Sequence, residues 1–291
     1  MANTRDIRNR IKGVKNTAKI TRAMQLVASS KMKRAQERAM ERRDYSWLMS
    51  RMIAAIEEQL PEGLHHPFLD EREVITRCVL VFSTDRGLCG PLNANLFREI
   101  ARFDRATTAF VTVGRKARQF VSRTNRKLLA DFPVSEEARF NEIRPIAEFL
   151  IAGFNRGDFD ALDVLYPRFK NTLVQVPTTV QMLPMRDFRA RLDEFKDDSA
   201  IEPLQDLRTF LFEPEAEAIL DQLLDLFIKQ QIYRIALDAR ASEHSARMVA
   251  MKAATDNAKK LTDQLTLQYN KARQAAITQE ILEITAATLH S

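Results

Sequence analysis

Apolar residues recur at both ends of this 291-residue chain in alternating steps of four and three, the spacing of a helix face that packs against another helix. From Ile7 the steps reach Ile11, Val14, Ala18, Thr21, Gln25, Ala28, Met32, Ala35, Ala39, Arg42, Ser46, Met49, Ile53, Ile56 and Leu60. Twelve of these sixteen positions are apolar, so the stripe predicts a continuous seam. Many are alanine, which lets a second helix approach closely. A shorter stripe, Ile20, Met24 and Val27, lies on another face amid Lys19, Arg22, Lys31 and Lys33. One partner helix cannot cover both stripes.

At the other end the steps run Ile228, Ile232, Ile235, Ala239, Ser242, Ala246, Val249 and Ala253. After a one-residue slip they continue through Ala258, Leu261, Leu265, Gln268, Ala272, Ala275, Gln279 and Leu282. Such a slip is expected where 3.6 residues per turn drift against a 3.5-residue repeat. Neither Val14–Leu60 nor Glu215–Ser291 contains glycine or proline, and all seven glycines and ten prolines lie between Gly13 and Pro214. Two long helices, residues 1–60 and 214–291, therefore bracket a middle region, residues 61–213, and the prediction is an antiparallel coiled coil. The last helix is the longer, running about 110 Å at 1.5 Å per residue. Its tip overhangs from about Gln274, leaving Ile277, Ile281 and Leu282 for something other than the first helix to cover.

The middle changes to short apolar runs alternating with amphipathic ones. Strands are predicted at Cys78–Phe82, Thr107–Val113, Leu128–Phe132, Leu162–Tyr166 and Thr172–Leu183. Helices are predicted at Asn93–Phe103, from Gly114 to about Arg126, and at Glu142–Phe154. Alternation of this kind gives an α/β, Rossmann-like domain with a mostly parallel sheet. Arg186–Asp206 reads as a loop, and Leu207–Phe212 as short extended chain leading to Pro214, a helix-start signal.

The net charge of +6 is unevenly placed: residues 1–51 hold fourteen Lys or Arg against four acidic residues. A basic helix suits nucleic acid, an anionic surface or an acidic protein partner. A coiled-coil-arm nucleic-acid-binding protein is thus an alternative reading, although aromatic side chains for base stacking are not interleaved with the basic ones. No apolar run reaches the length of a membrane span, and the start lacks the apolar core of a signal peptide. Two cysteines, Cys78 and Cys89, are too few for a disulfide scaffold and read as buried thiols.

Chemistry is sparse. Gly87 and Gly90 sit in a strand-to-helix turn where a nucleotide-binding protein would cradle phosphate. The stretch RGLCGPLN has neither the Lys-Ser/Thr of a P-loop nor GxGxxG spacing, so it reads as a structural turn in which Asp85 and Arg86 can pair. His65, His66, His244 and His290 have no Cys, Asp or Glu at metal-ligand spacing. No nucleophile has an evident base, and neither a catalytic constellation nor a cofactor is expected. A nucleotide-dependent enzyme built on the α/β domain is the remaining alternative.

The start IRNRIKGVKNTAKITRAMQLVASSKMKRAQ, the turn STDRGLCG and the end SEHSARMVAMKAATDNAKKLTDQLTLQYNKARQAAITQEILEI resemble the gamma-subunit family of the rotary proton-translocating ATP synthase. The resemblance implies a non-catalytic central rotor shaft that couples proton flow through a membrane c ring to conformational cycling of the catalytic β subunits. Its implied partners are the α and β subunits, the epsilon subunit and the c ring, with one copy per complex, no membrane insertion and no nucleic acid. It also implies that Ile20, Met24, Val27, Arg247, Gln274 and Thr278 meet the β subunits. Ile277, Ile281 and Leu282 would then form an apolar tip bearing, and Leu211, Phe212 and Glu213 would meet the c ring. With no presequence, the implied place is the cytoplasmic face of a bacterial inner membrane, peripheral to it. Two departures from the family pattern are Pro91, and Thr285, Ala286 and Ala287 where glycines are usual; the latter favour a straighter helical tip.

Overall fold

The computed structural model describes residues 4–41, 48–49, 52, 66–70, 72–185 and 216–289. In chain order the elements are α1 (Thr4–Glu41), β1 (Arg77–Phe82), α2 (Leu92–Arg102), β2 (Thr108–Val113), α3 (Arg115–Arg123), β3 (Lys127–Phe132), α4 (Phe140–Arg156), β4 (Ala161–Phe169), β5 (Gln175–Leu183) and α5 (Ala216–Leu289). They form two compact units, Met1–Ser29 with Arg247–Ser291, and Ser30–Ala246, so α1 and α5 each contribute to both. The loop expected over Arg186–Asp206, the extended Leu207–Phe212 and the end of the first helix from Ile53 to Leu60 lie outside the described residues.

In the larger unit the strands pair in the order β3-β2-β1-β4-β5, all parallel except β5, which runs antiparallel to β4. The central strand β1, RCVLVF, is apolar on both faces because helices cover both. Cys78, Leu80 and Phe82 point into one core with Ile143, Ile146 and Leu150 of α4 and Leu224, Ile228 and Ile232 of α5. Val79 and Val81 point into the other, with Leu96 and Ile100 of α2 and Ala117 and Val121 of α3. All of these side chains are essentially inaccessible to solvent. A polar side chain buried on β2, Thr112, is satisfied by donating its hydroxyl to Asp131 Oδ1 at 2.7 Å.

Helix α3 ends three residues earlier than its sequence pattern suggests. Asn125 takes a left-handed φ of 50°, which terminates the helix, and Arg126 leaves it to donate to Phe103 O at 2.8 Å and Ala101 O at 3.0 Å. A residue read as the end of one helix thus satisfies the last carbonyls of another.

The smaller unit is an antiparallel pair of helices. Thr21 and Thr255 are hydrogen-bonded through their hydroxyls, and Arg8 donates to the Tyr269 hydroxyl at 2.8 Å. Along α1 every described seam position from Ile7 to Ala35 is buried or half-buried, while Arg8, Lys12, Lys15 and Lys19 are exposed. The expected seam of α5 needs correction. Ala253, Leu261, Gln268 and Ala275 are exposed, and burial passes instead through Met251, Thr255, Ala258, Thr262, Leu265, Tyr269 and Ala272. This is still a four-three repeat, but it uses threonine and tyrosine, whose hydroxyls find partners across or along the coil. Counting only apolar residues selects the wrong neighbouring face.

Candidate functional site

Two features bear on function: surfaces on the coil, and the end of the sheet where a nucleotide would bind. Ile20 and Val27 are 60% and 55% exposed, as a second stripe requires, and Leu26 beside them is equally open. Leu26 belongs to neither heptad register, so the spacing rule passes it over. Met24 departs from the expectation, being half-buried, because it lies beside Gln25 and Ala28, both turned toward the seam. Arg247 is also half-buried, whereas Gln274 and Thr278 are exposed, with the Thr278 hydroxyl bonded back to Gln274 O at 2.9 Å.

The tip is the most apolar open surface of the coil. The register that sets Thr21 against Thr255 and Arg8 against Tyr269 brings Thr4 opposite about residue 272. Burial on α5 stops there: Ala272 is half-buried, and every described side chain from Arg273 to Thr285 is exposed. Ile277, Ile281, Leu282 and Ile284 are between 48% and 66% exposed. The helix itself continues to Leu289 through Thr285, Ala286 and Ala287. From Thr255 to Gln274 is about 28 Å of helix, so the Ile20–Val27 stripe and the tip are separate zones. Leu211, Phe212 and Glu213 lie outside the described residues.

At the carboxyl ends of β1 and β2, where an open parallel sheet normally receives its ligand, the protein fills its own site. The three leading N–H groups of α3 are taken: Arg115 N donates to Asp85 Oδ1 at 3.0 Å, Lys116 N to Thr84 O at 3.1 Å and Ala117 N to Ser83 Oγ at 2.9 Å. Asp85 stands where a phosphate would and draws on Arg115, 3.8 Å away, not on Arg86 as its neighbour in sequence suggested. Gly114 has φ +101°, and a Cβ there would fall 2.3 Å from Ser83 O, so this glycine serves a close backbone approach. The remaining hollow between Phe82, Thr84, Val113 and the α5 residues Ala236, Ala239, Arg240 and Glu243 has a volume of about 10 Å³, room for about one water.

The turn between β1 and α2 is likewise closed on itself. Asn93 donates to Thr84 Oγ1 at 2.8 Å and to Cys89 Sγ at 3.3 Å, and Thr84 Oγ1 donates to Arg86 O at 2.7 Å. Burial, with a contribution from Asp163, pushes the Cys78 thiol up to about 12, so it stays protonated and unreactive. His66 bridges segments: its Nδ1 accepts from Phe68 N, and its Nε2 lies 2.9 Å from Asp221 Oδ1. Among the described residues no three His, Cys, Asp or Glu are grouped to hold a metal ion, and no helix is long and apolar enough to cross a membrane.

A larger hollow of about 110 Å³ lies between Lys31, Arg34 and Arg38 of α1, Glu136 and Glu137, and Arg240 and His244 of α5. Its cations are mostly answered from within. Lys31 pairs with Glu136, Arg38 with Glu137 and Arg240 with Glu243, and the bond from Lys31 above all holds the Glu136 carboxyl below its usual range.

An antiparallel coil with open apolar zones, joined in one chain to an α/β unit whose ligand end is self-filled, defines a coiled-coil α/β protein. A family model described as ATP synthase matches residues 3–288. The ATP synthase gamma chain of Opitutus terrae is 51% identical over 99% of this chain and 98% of its own. That of Methylacidiphilum infernorum is 44% identical with the same coverage. Among solved structures, a chain of the Euglena gracilis mitochondrial ATP synthase (OSCP/F1/c-ring) superposes with a TM-score of 0.68 over 98% of this chain and 93% of that one, at 18% identity. A chain from the central stalk and c ring of the Tetrahymena thermophila enzyme gives 0.60 over 81% and 99%, at 24% identity. The chain belongs to the ATP synthase gamma chain family.

Proposed function

We infer that this chain is the central rotor shaft of a proton-translocating ATP synthase, itself non-catalytic, present once per complex and peripheral to the cytoplasmic face of a bacterial inner membrane. Its partners on this reading are the α and β subunits, the epsilon subunit and the c ring. Residues 1–60 and 214–291 serve as the shaft and 61–213 as the base. Ile20, Met24, Val27, Arg247, Gln274 and Thr278 meet the β subunits. Ile277, Ile281 and Leu282 run as an apolar bearing inside the ring, and Leu211, Phe212 and Glu213 meet the c ring. The shaft works by presenting a different face to each β subunit as it turns, and it shifts their states only as far as its contacts differ between those states.

The observation that carries this reading is the uncovered tip. Fully burying one Ile or Leu side chain is worth about 1.5–3 kcal/mol, so four such residues left between 48% and 66% exposed point to a partner that encloses them. The self-filled sheet end supports the non-catalytic part. A nucleic-acid-binding arm finds no support in the comparisons, and an arm of that kind has no use for an apolar tip. Cysteine at Ile281 tests the reading in the assembled complex. Oxidation is expected to join it to an α or β subunit, and joining to residues 4–10 of its own chain would overturn it.

A further inference from the structure

Most of α5 buries one face, but from Ala239 to Ala246 every residue is buried, none more than 8% exposed. Eight consecutive helical residues point in all directions around the axis. Five of them, Arg240, Ser242, Glu243, His244 and Ser245, are polar, a costly choice for a buried segment unless the polar groups are used.

Arg240 and Ser245, with Asp238 just before the segment, make bonds that are spread around the helix, while the Ser242 hydroxyl has no hydrogen-bond partner among the described residues. Ser245 Oγ donates to Thr172 O at 2.8 Å and accepts from Gln175 Nε2 at 3.4 Å, and one turn-pair earlier on the same face Asp238 Oδ1 accepts from Phe169 N at 3.1 Å. All three tie α5 to the β4–β5 hairpin. Arg240 projects roughly 160° away around the axis, where it donates to Val134 O at 2.8 Å and Ser135 O at 3.0 Å. Between these two directions Ala246 packs on Cys89 and Leu92 of the β1–α2 turn.

We propose that residues 238–246 of α5 form a torsional lock, in which Asp238, Arg240 and Ser245 are positioning residues that stop the helix from turning about its own axis within the α/β unit. The proposal rests on the rotor reading above. Apolar contacts are non-directional and re-form after a small slip. Hydrogen bonds to fixed backbone groups do not: a side-chain atom about 6 Å from the axis moves roughly 2 Å in a 20° rotation, enough to break a bond of ordinary length. Because the bonds lie on opposite sides, rotation in either sense breaks both sets. Torque carried along α5 is thereby delivered to the sheet instead of being lost at the socket.

The test uses the assembled complex in inverted membrane vesicles, measuring ATP hydrolysis and proton pumping together. Arg240→Met with Ser245→Ala should lower protons pumped per ATP about fivefold or more, the lower end of typical coupling between linked sites, with hydrolysis largely kept. Ser245→Ala alone removes a hydroxyl with little change in packing and should lower the ratio by a smaller factor, so the test stands if the double variant does not assemble. Gln222→Ala, at an exposed position on the same helix, should leave the ratio unchanged. An unchanged ratio in the lock variants, or hydrolysis and pumping falling in parallel with assembly, would overturn the lock. Failure of the rotor reading would appear separately, as unmodified chain that neither joins the complex nor supports pumping.

Discussion

Thr21 and Thr255, 234 residues apart in sequence, meet in the seam of the coil with their hydroxyl oxygens 2.8 Å apart. Thr255 Oγ1 also lies 2.8 Å from Met251 O, and Thr21 Oγ1 3.0 Å from Thr17 O. Each hydroxyl has one proton, so one threonine donates across the seam and the other donates back into its own helix. Replacing Thr255 with valine should cost about 1 kcal/mol by taking the cross-seam partner from Thr21. Changing both to valine should cost less than the sum of the single changes. Urea unfolding of the four forms measures this coupling, and strict additivity would mean that the pair does not hold the register.

Met24→Lys is expected to reduce proton pumping more than assembly. Met24 is half-buried, and a lysine there can run its stem along the coil while its ammonium reaches water, so folding should change by less than about 1 kcal/mol. The comparison is protons pumped per ATP in the assembled complex, with subunit stoichiometry as the control. Equal loss of both would remove Met24 from the contact set.

Asp238 sets a pH dependence. Burial, partly offset by the bond from Phe169 N, raises its carboxyl to about 6 from the ordinary 3.8. Between those values the folded chain holds a proton that the unfolded chain has released. The stabilising contribution is therefore fully present below about pH 4 and is lost as pH rises through about 6, amounting to roughly 2–3 kcal/mol. Asp238→Asn removes the titration. The stability of the unmodified chain relative to this variant should fall between about pH 4 and pH 7, and a flat difference in chemical unfolding would show that the carboxyl is not raised.

Gly114→Ala should destabilise the α/β unit by about 3 kcal/mol or more, since it combines a left-handed φ with a backbone clash. The clash is with Ser83 O at 2.3 Å, and relieving it disturbs the Ser83 hydroxyl that holds Ala117 N. Gly87→Ala is the contrast, because a Cβ there meets nothing within 4 Å. Thermal unfolding of both variants decides the point, with the larger loss expected at Gly114.

The sequence by itself determined the elements of this protein. Spacing of apolar side chains and the positions of glycine and proline are local properties, so they mark the two long helices, the face of α1 that is covered and the strand-helix alternation that makes a mostly parallel sheet. Tertiary structure alone decided where polar residues belong. Thr255 and Tyr269 count against a seam until their hydroxyls meet Thr21 and Arg8. Arg240 and Ser245 look like surface residues until backbone carbonyls arrive from residues 134, 135 and 172. The same holds at the sheet end, where Asp85, Thr84 and Ser83 occupy the helix N-terminus that a sequence pattern can only mark as vacant or not. A buried polar group is stable when a partner from a distant part of the chain satisfies it, and no local pattern records that partner.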